Sequence, residues 1–125
     1  MQSVTSNAVA ERCLVKNKTF TLDSNFTEIS AYPIRIRQIG NIIYTSGILI
    51  INTNVSATAP IITINNLHTN YNLICQISYW NSSSQQYNAS VVSVRQNGDN
   101  LTVCTENVFY ANDYIYFDIS FLVDD

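Results

Sequence analysis

The sequence alternates most clearly in the stretch Tyr114-Ile115-Tyr116-Phe117-Asp118-Ile119-Ser120-Phe121-Leu122-Val123. Every odd-numbered position there is apolar, and the polar residues Asp118 and Ser120 both fall at even positions. Successive side chains of a β-strand point to opposite faces of its sheet. The pattern therefore predicts a strand with one face in the core and the other in water.

Shorter stretches repeat this alternation along most of the chain. They are Thr19–Leu22, Ile34–Arg37, Leu73–Tyr79, Ala89–Val94 and Leu101–Thr105. Residues 42–51 read as a longer, mostly buried strand in which Gly47 marks a bulge or a close approach of two backbones. Asn97-Gly98 predicts a hairpin with a type I′ turn, since both residue types accept a positive φ. We therefore expect an all-β fold, an antiparallel β-sandwich or jelly roll of about eight or nine strands, over residues 13–125.

Residues 1–12 differ from the rest in predicting a short helix. Capping residues at 5–7 precede Ala8, Ala10, Glu11 and Arg12. A helix of about two turns is marginal in water and must pack on another subunit or on the domain body. Its short apolar stripe, formed by Val4, Ala8 and Val9, is the predicted subunit contact.

Composition excludes several classes of protein. The 125 residues fit one domain, and a net charge of −3 with six scattered basic residues predicts no nucleic-acid partner. The longest apolar stretch, Ile48–Ile51, is far shorter than the roughly 20 residues that cross a bilayer, so we expect no membrane insertion. The first residues have neither a basic start nor a long apolar run, so we expect no signal peptide.

The three cysteines predict no metal site. Cys13, Cys75 and Cys104 are far apart in sequence and lack the spacing of metal ligands. We interpret them as buried reduced thiols, with a Cys75–Cys104 bridge across two strands as the alternative.

The sequence does not predict an enzyme or a cofactor. His68 is the one histidine and lies in a polar stretch typical of an exposed loop, and no nucleotide-binding or nucleophile motif occurs. Two carboxylates could in principle hydrolyse a sugar, and Asp124 with Asp125 could hold Ca²⁺ on a symmetry axis, but solvated carboxylates are the expectation for both.

An aromatic loop is the best candidate for ligand binding. Tyr79, Trp80 and Tyr87 flank a polar segment that includes Asn81 and Gln85. Aromatic rings stack on the C–H face of a sugar, and amides bond to its hydroxyls. The alternative is that Tyr79 and Trp80 are strand residues that pack in the core or in a subunit interface.

The segment Ser3-Val4-Thr5-Ser6-Asn7-Ala8-Val9-Ala10 resembles a short stretch that recurs before the terminal domain of phage and prophage tail-fibre and receptor-binding proteins. The last strand is also similar in pattern to that of trimeric jelly rolls of the tumour-necrosis-factor and complement-C1q type. The resemblance implies a homotrimer in which residues 1–12 connect to a fibre shaft and the β domain is a head that binds a host surface glycan or protein. It also implies a virion tail protein that is assembled in the bacterial cytoplasm.

Two other functions fit the same residues. A carbohydrate-binding or adhesin domain of a bacterial surface protein would share the aromatic loop and bind as a monomer. A structural fibre or baseplate connector would assemble without binding a glycan.

Overall fold

The computed structural model describes residues 14–124, and this part of the chain is all β. It contains ten strands and no helix: β1 Val15–Asn17, β2 Phe20–Leu22, β3 Phe26–Glu28, β4 Arg35–Ile39, β5 Ile42–Ile51, β6 Pro60–Ile64, β7 Leu73–Asn81, β8 Gln86–Asn97, β9 Asn100–Thr105 and β10 Tyr114–Leu122. The all-β prediction is confirmed. The predicted helix, with Val4, Ala8 and Val9, lies outside the described residues. Among residues 14–124 no helix is long and apolar enough to span a membrane.

The strands form one antiparallel sheet that curls. Its order is β1-β4-β5-β10-β7-β8-β9-β6-β2, and β3 pairs with β5 beside this path. The end strands β1 and β2 are separated in sequence only by Lys18 and Thr19. The Lys18 amide donates to the carbonyl of Ile36 in β4 at 2.8 Å, and the Thr19 carbonyl accepts from Asn65, just after β6, at 3.1 Å. This short link therefore holds the two ends of the sheet close together.

Strand β10 lies in the middle of the sheet and joins its two halves. It pairs with β5 from Tyr114↔Ile50 to Leu122↔Ile42. With β7 it pairs only from Tyr114↔Trp80 to Tyr116↔Ser78. Beyond Tyr116 the two strands separate, and an open cleft lined by Gln76 and Asp118 lies between them.

The core fills the inside of the curl with residues from both halves of the sheet. The odd positions of β10 and Val123 are all buried, as the alternation predicts. They pack with the apolar side chains Phe26, Ile34, Ile36, Ile43, Leu49, Ile51, Val55, Ile61, Ile62, Ile64, Leu67, Ile77, Tyr79, Val92, Val94, Leu101, Val103 and Phe109. Each large apolar side chain contributes about 1.5–3 kcal/mol on burial.

Two glycine predictions can be compared with the structure. Gly47 has a φ of 132°, and a Cβ there would lie 2.7 Å from the carbonyl oxygen of Pro33, so the predicted close approach is confirmed. The predicted hairpin between β8 and β9 is also confirmed, but Asn97 pairs with Asn100, so Gly98 and Asp99 form the loop. Only Gly98 of these two has a positive φ, which is typical of a type II′ turn, and the type I′ prediction was wrong by one residue.

We predict that Phe117→Ala lowers the free energy of unfolding by about 3–5 kcal/mol, because the ring is 3% exposed and its loss leaves a cavity. Ser120→Ala on the exposed side of the same strand should change it by less than about 0.5 kcal/mol. Urea unfolding followed by tryptophan fluorescence measures both. Equal effects of the two variants would contradict the assignment of core and solvent faces.

Candidate functional site

The five predicted ligand residues lie on the β7–β8 hairpin, but on two different sides of it. In the register of this hairpin, Tyr79 faces Asn88, Trp80 faces Tyr87, and Asn81 faces Gln86. Tyr79 is 7% exposed and belongs to the core, so Trp80 and Tyr87 point to the opposite, outer side of the sheet. The five residues therefore divide between two separate surfaces, and their role in ligand binding stays a prediction.

The first surface is a set of apolar and aromatic side chains on the outer side of the sheet, which we call the aromatic face. One row runs across four strands from Ile50 through Tyr114 and Trp80 to Tyr87, because each of these residues is the cross-strand partner of the next. A second row pairs Ile48 with Tyr116. The aromatic face therefore consists of Ile48, Ile50, Trp80, Tyr87, Tyr114 and Tyr116, and each of these side chains is partly or largely exposed.

Three rings at one end of the aromatic face hold one another in place. The centroids of Trp80 and Tyr87 are 4.6 Å apart with the planes tilted by 58°, and those of Tyr87 and Tyr116 are 5.4 Å apart in an edge arrangement at 68°. The hydroxyls of Tyr87 and Tyr116 lie 3.3 Å apart, and this hydrogen bond, with partial burial, raises the pKa of Tyr116 to about 12. Since Tyr87 is 60% exposed, the cluster offers a fixed ring to solvent.

On the inner side, the Tyr79 hydroxyl joins the hairpin to the loop before β10. It donates to Asp113 Oδ2 at 2.5 Å and accepts from the Tyr110 amide at 3.0 Å. The other oxygen of Asp113, which is 4% exposed, accepts from the Ser82 amide at 2.9 Å. One buried carboxylate therefore fixes the loop at 106–113 against the turn at 82–85.

The turn at 82–85 is built from the amide residues that the sequence had proposed as sugar ligands. Asn81 Oδ1 accepts from the amides of Ser83 and Ser84, both at 3.0 Å, which forms an Asx-type turn. Gln85 has a φ of 53° and closes the turn. The side-chain oxygen of Asn81 therefore already accepts hydrogen bonds within the loop. Its amide nitrogen is the group of this side chain that can donate a hydrogen bond to a ligand.

The second surface is a small pocket at the end of the curled sheet, which we call the end pocket. It has a volume of about 150 Å³ and is lined by Tyr79, Asn81, Asn88, Ala89, Ser90, Val108, Phe109 and Tyr110. The rings of Tyr79 and Phe109, with centroids 5.1 Å apart, form an apolar wall. Amide and hydroxyl groups and the 55% exposed Tyr110 surround it. An apolar wall with a few polar groups is typical of a site for one small group of a ligand.

Other reactive groups are dispersed. His68 Nε2 lies 3.8 Å from Asp99 Oδ1, and both side chains are largely exposed, as expected for a loop histidine. Cys75 and Cys104 are free thiols whose pKa values burial raises. They lie in β7 and β9 with β8 between them, so the alternative of a Cys75–Cys104 bridge was wrong. Among residues 14–124 no cluster of three or more His, Cys, Asp and Glu side chains could hold a metal.

Sequence reasoning missed Tyr116, Tyr110 and Asn88. Tyr116 carried a usable signal, because it occupies an outward position of the clearest strand. Asn88 carried none until the β7–β8 register made it the partner of Tyr79, and Tyr110 carried none because only the folded loop brings it there. Comparison with protein-family models, with curated proteins and with solved structures finds no match to the chain.

We predict that Tyr79→Phe lowers the free energy of unfolding by about 1–3 kcal/mol, because it leaves a buried carboxylate oxygen and the Tyr110 amide without their partner. Tyr87→Phe removes a hydroxyl whose hydrogen bond to Tyr116 is long and exposed to solvent, and should cost less than about 0.5 kcal/mol. Hydrogen exchange should also quicken at residues 106–113 in Tyr79→Phe alone. Unchanged exchange there would contradict the role of this hydroxyl.

We also predict a loss of stability at alkaline pH that depends on Tyr79. Burial and the hydrogen bond to Asp113 raise its pKa well above the ordinary 10.0, against the lowering effect of the Tyr110 amide. A pKa raised in the folded state adds stability below pH 10 that is lost as the pH rises further. Unfolding midpoints measured from pH 8 to 12 should fall more steeply for the natural chain than for Tyr79→Phe, and parallel curves would contradict the shift.

Proposed function

We propose that this chain is the receptor-binding head of a phage tail fibre, that it acts as a homotrimer, and that it recognises a glycan or protein on the bacterial surface. The observation that carries the proposal is the aromatic face. Six apolar or aromatic side chains form a continuous outer patch with no charge among them. Interfaces between subunits are enriched in aromatic residues and depleted of charge at their centres.

The shape of the sheet supports the same proposal. The strands β1, β4, β5 and β10 lie on one side of the short β10–β7 pairing, and β7, β8, β9, β6 and β2 lie on the other. We propose that these two halves act as the layers of a jelly-roll sandwich. The aromatic face crosses from one half to the other at the β10–β7 pairing, so subunits would meet along this edge of the sandwich, and the end loops would stay free for a receptor.

The end pocket is the better of the two surfaces for the receptor. Its wall is apolar, and the side chains of Asn88, Ser90 and Tyr110 can bond to sugar hydroxyls or to an acetamido group. A volume of about 150 Å³ suits one substituent of a sugar rather than a whole drug-sized molecule. A weak single site of this kind gains strength when three copies bind together, by roughly 10²-fold or more.

We predict that the protein has a solution mass of three times the 14.1 kDa chain, and that Tyr116→Glu dissociates it, because the substitution places a charge within the uncharged aromatic face. Asn97→Glu adds the same charge at the exposed β8–β9 turn and should leave the mass unchanged. Light scattering at micromolar concentration measures both, with circular dichroism as the check on folding. A monomeric natural chain would contradict the trimer.

We predict that Asn88→Ala and Tyr110→Ala each weaken binding to a bacterial glycan array by about tenfold or more, because each removes a wall or rim group of the end pocket. Asn72→Ala, an exposed amide outside the pocket, should bind normally. If Trp80→Ala abolishes binding while the pocket variants do not, the aromatic face is the receptor site. A trimer that binds no glycan would leave a protein receptor or a purely structural connector.

A further inference from the structure

The structure brings together cations that the sequence scatters. Of the five basic residues in the described chain, Lys16, Lys18, Arg35 and Arg37 lie on β1, on β4 or on the link after β1. The pairing Asn17↔Arg37 and the hydrogen bond from the Lys18 amide to the Ile36 carbonyl place β1 and its link directly beside β4. Lys16 is the cross-strand partner of the buried Gln38 and so points to the face opposite Arg35 and Arg37, whereas Lys18 lines one hollow with the two arginines. The net charge of the whole protein is −3.

Within residues 14–124, Arg95 has an ion-pair partner and these four cations do not. Arg95 Nη2 lies 3.0 Å from Glu106 Oε1, and hydrogen bonds from Ser93 and Arg95 lower the pKa of that carboxyl group. No ion pair joins Lys16, Lys18, Arg35 or Arg37 to another residue within 14–124. On the outer side, Asp118 is separated from Arg35 by Ser46 on the intervening strand, a span of about 10 Å. The Glu28 carboxylate lies near Arg35 in the chain, but it accepts from the Ile34 amide at 3.2 Å and forms no ion pair within residues 14–124.

Arg35 and Arg37 form a ridge between two hollows. The hollow towards β1 has a volume of about 470 Å³ and is lined by Asn17, Lys18, Phe20, Ile34, Arg35, Ile36 and Arg37. The hollow towards β5 has a volume of about 290 Å³ and includes Tyr32, Ser46 and the backbone at Gly47. Each hollow therefore combines the two arginines with one aromatic ring, and the Tyr32 ring is 61% exposed. We call this surface the arginine ridge.

We propose that the arginine ridge binds an anionic polymer of sugar or polyol units, with its phosphate or carboxylate groups on Arg35, Arg37 and Lys18 and its sugar or polyol units in the two hollows. Guanidinium groups bind such oxyanions through paired hydrogen bonds. Aromatic rings beside them pack on C–H faces. Duplex DNA fits less well, since a few cations in hollows cannot follow a long phosphate backbone and the rest of the protein is acidic.

The test uses the full chain and four polymers: synthetic poly(glycerol phosphate), polygalacturonate, uncharged dextran and duplex DNA. We expect binding to at least one of the first two polymers, none to dextran, and weaker binding as salt rises from 50 to 500 mM. Lys18→Gln/Arg35→Gln/Arg37→Gln should weaken this binding by about tenfold or more. Which of the first two polymers binds identifies the oxyanion.

Arg95→Gln is the matched control. It also removes one positive charge, but Arg95 is far from the ridge in sequence and already pairs with Glu106. It should weaken binding by less than about twofold, and the single variants Arg35→Gln and Arg37→Gln should each weaken it by more. All four variants should keep the circular dichroism spectrum of the natural chain, which shows that they fold. Arg35 and Arg37 are exposed, so we expect their substitution to leave the fold intact.

Binding that survives the triple substitution, binding of dextran as strong as that of the anionic polymers, or stronger binding of duplex DNA would each overturn the proposal. The result is separate from the proposed trimer and from the end pocket. Tyr116→Glu tests the trimer and Asn88→Ala tests the end pocket, and both leave the charges of the arginine ridge in place.

Discussion

The organisation of this protein depends on the pleat of a single curled sheet, which sends neighbouring side chains to opposite faces. Once Tyr79 is buried in the core, Trp80 has to point outwards, and its cross-strand partner Tyr87 points outwards with it. The same rule carries Tyr114 and Tyr116 to the outer side of β10 while Ile115 and Phe117 fill the inside. The core and the aromatic face are thus two consequences of one register.

A slip of one residue in the pairing of β10 would exchange these two faces. The long pairing with β5 prevents this, and the buried contacts of Asp113 with Tyr79 and Ser82 fix the chain just before β10 begins. A buried carboxylate is costly unless it is fully hydrogen-bonded, so its partners are strongly specified. The polar loop at 106–113 is therefore as important for the position of β10 as the apolar residues of the strand.

The features that could be predicted from the sequence are those that depend on residues close together in the chain. The alternation at Tyr114–Val123, the close approach at Gly47 and the β8–β9 hairpin all follow from neighbouring residues, and all three are confirmed. The hairpin turn was misplaced by one residue because both Asn97 and Gly98 accept a positive φ, and only the pairing of Asn97 with Asn100 decides between the two turns.

Features that depend on contacts between distant strands were not predictable in this way. Lys18 and Arg37 are far apart in the sequence, and only the pairing of β1 with β4 makes them neighbours. The basic residues are scattered along the sequence, so the sequence alone did not predict that the folded chain brings several of them together in the arginine ridge. The position of Tyr110 beside Tyr79 has the same origin, because a loop closed by a buried hydrogen bond has no periodic signal.

The three surfaces lie side by side on one sheet. The aromatic face adjoins the arginine ridge: its row with Tyr116 lies two residues along β10 from the level of Asp118 and Arg35, about 7 Å, and its row with Tyr114 lies about 14 Å from that level. The end pocket lies on the inner side of the β7–β8 hairpin, whereas Trp80 and Tyr87 lie on its outer side. Contact between subunits through the aromatic face would thus leave the end pocket open on each copy. In the proposed trimer, an anionic polymer held on the arginine ridge would raise the local concentration of sugar near three end pockets, and this linkage would add affinity to that of each pocket of about 150 Å³.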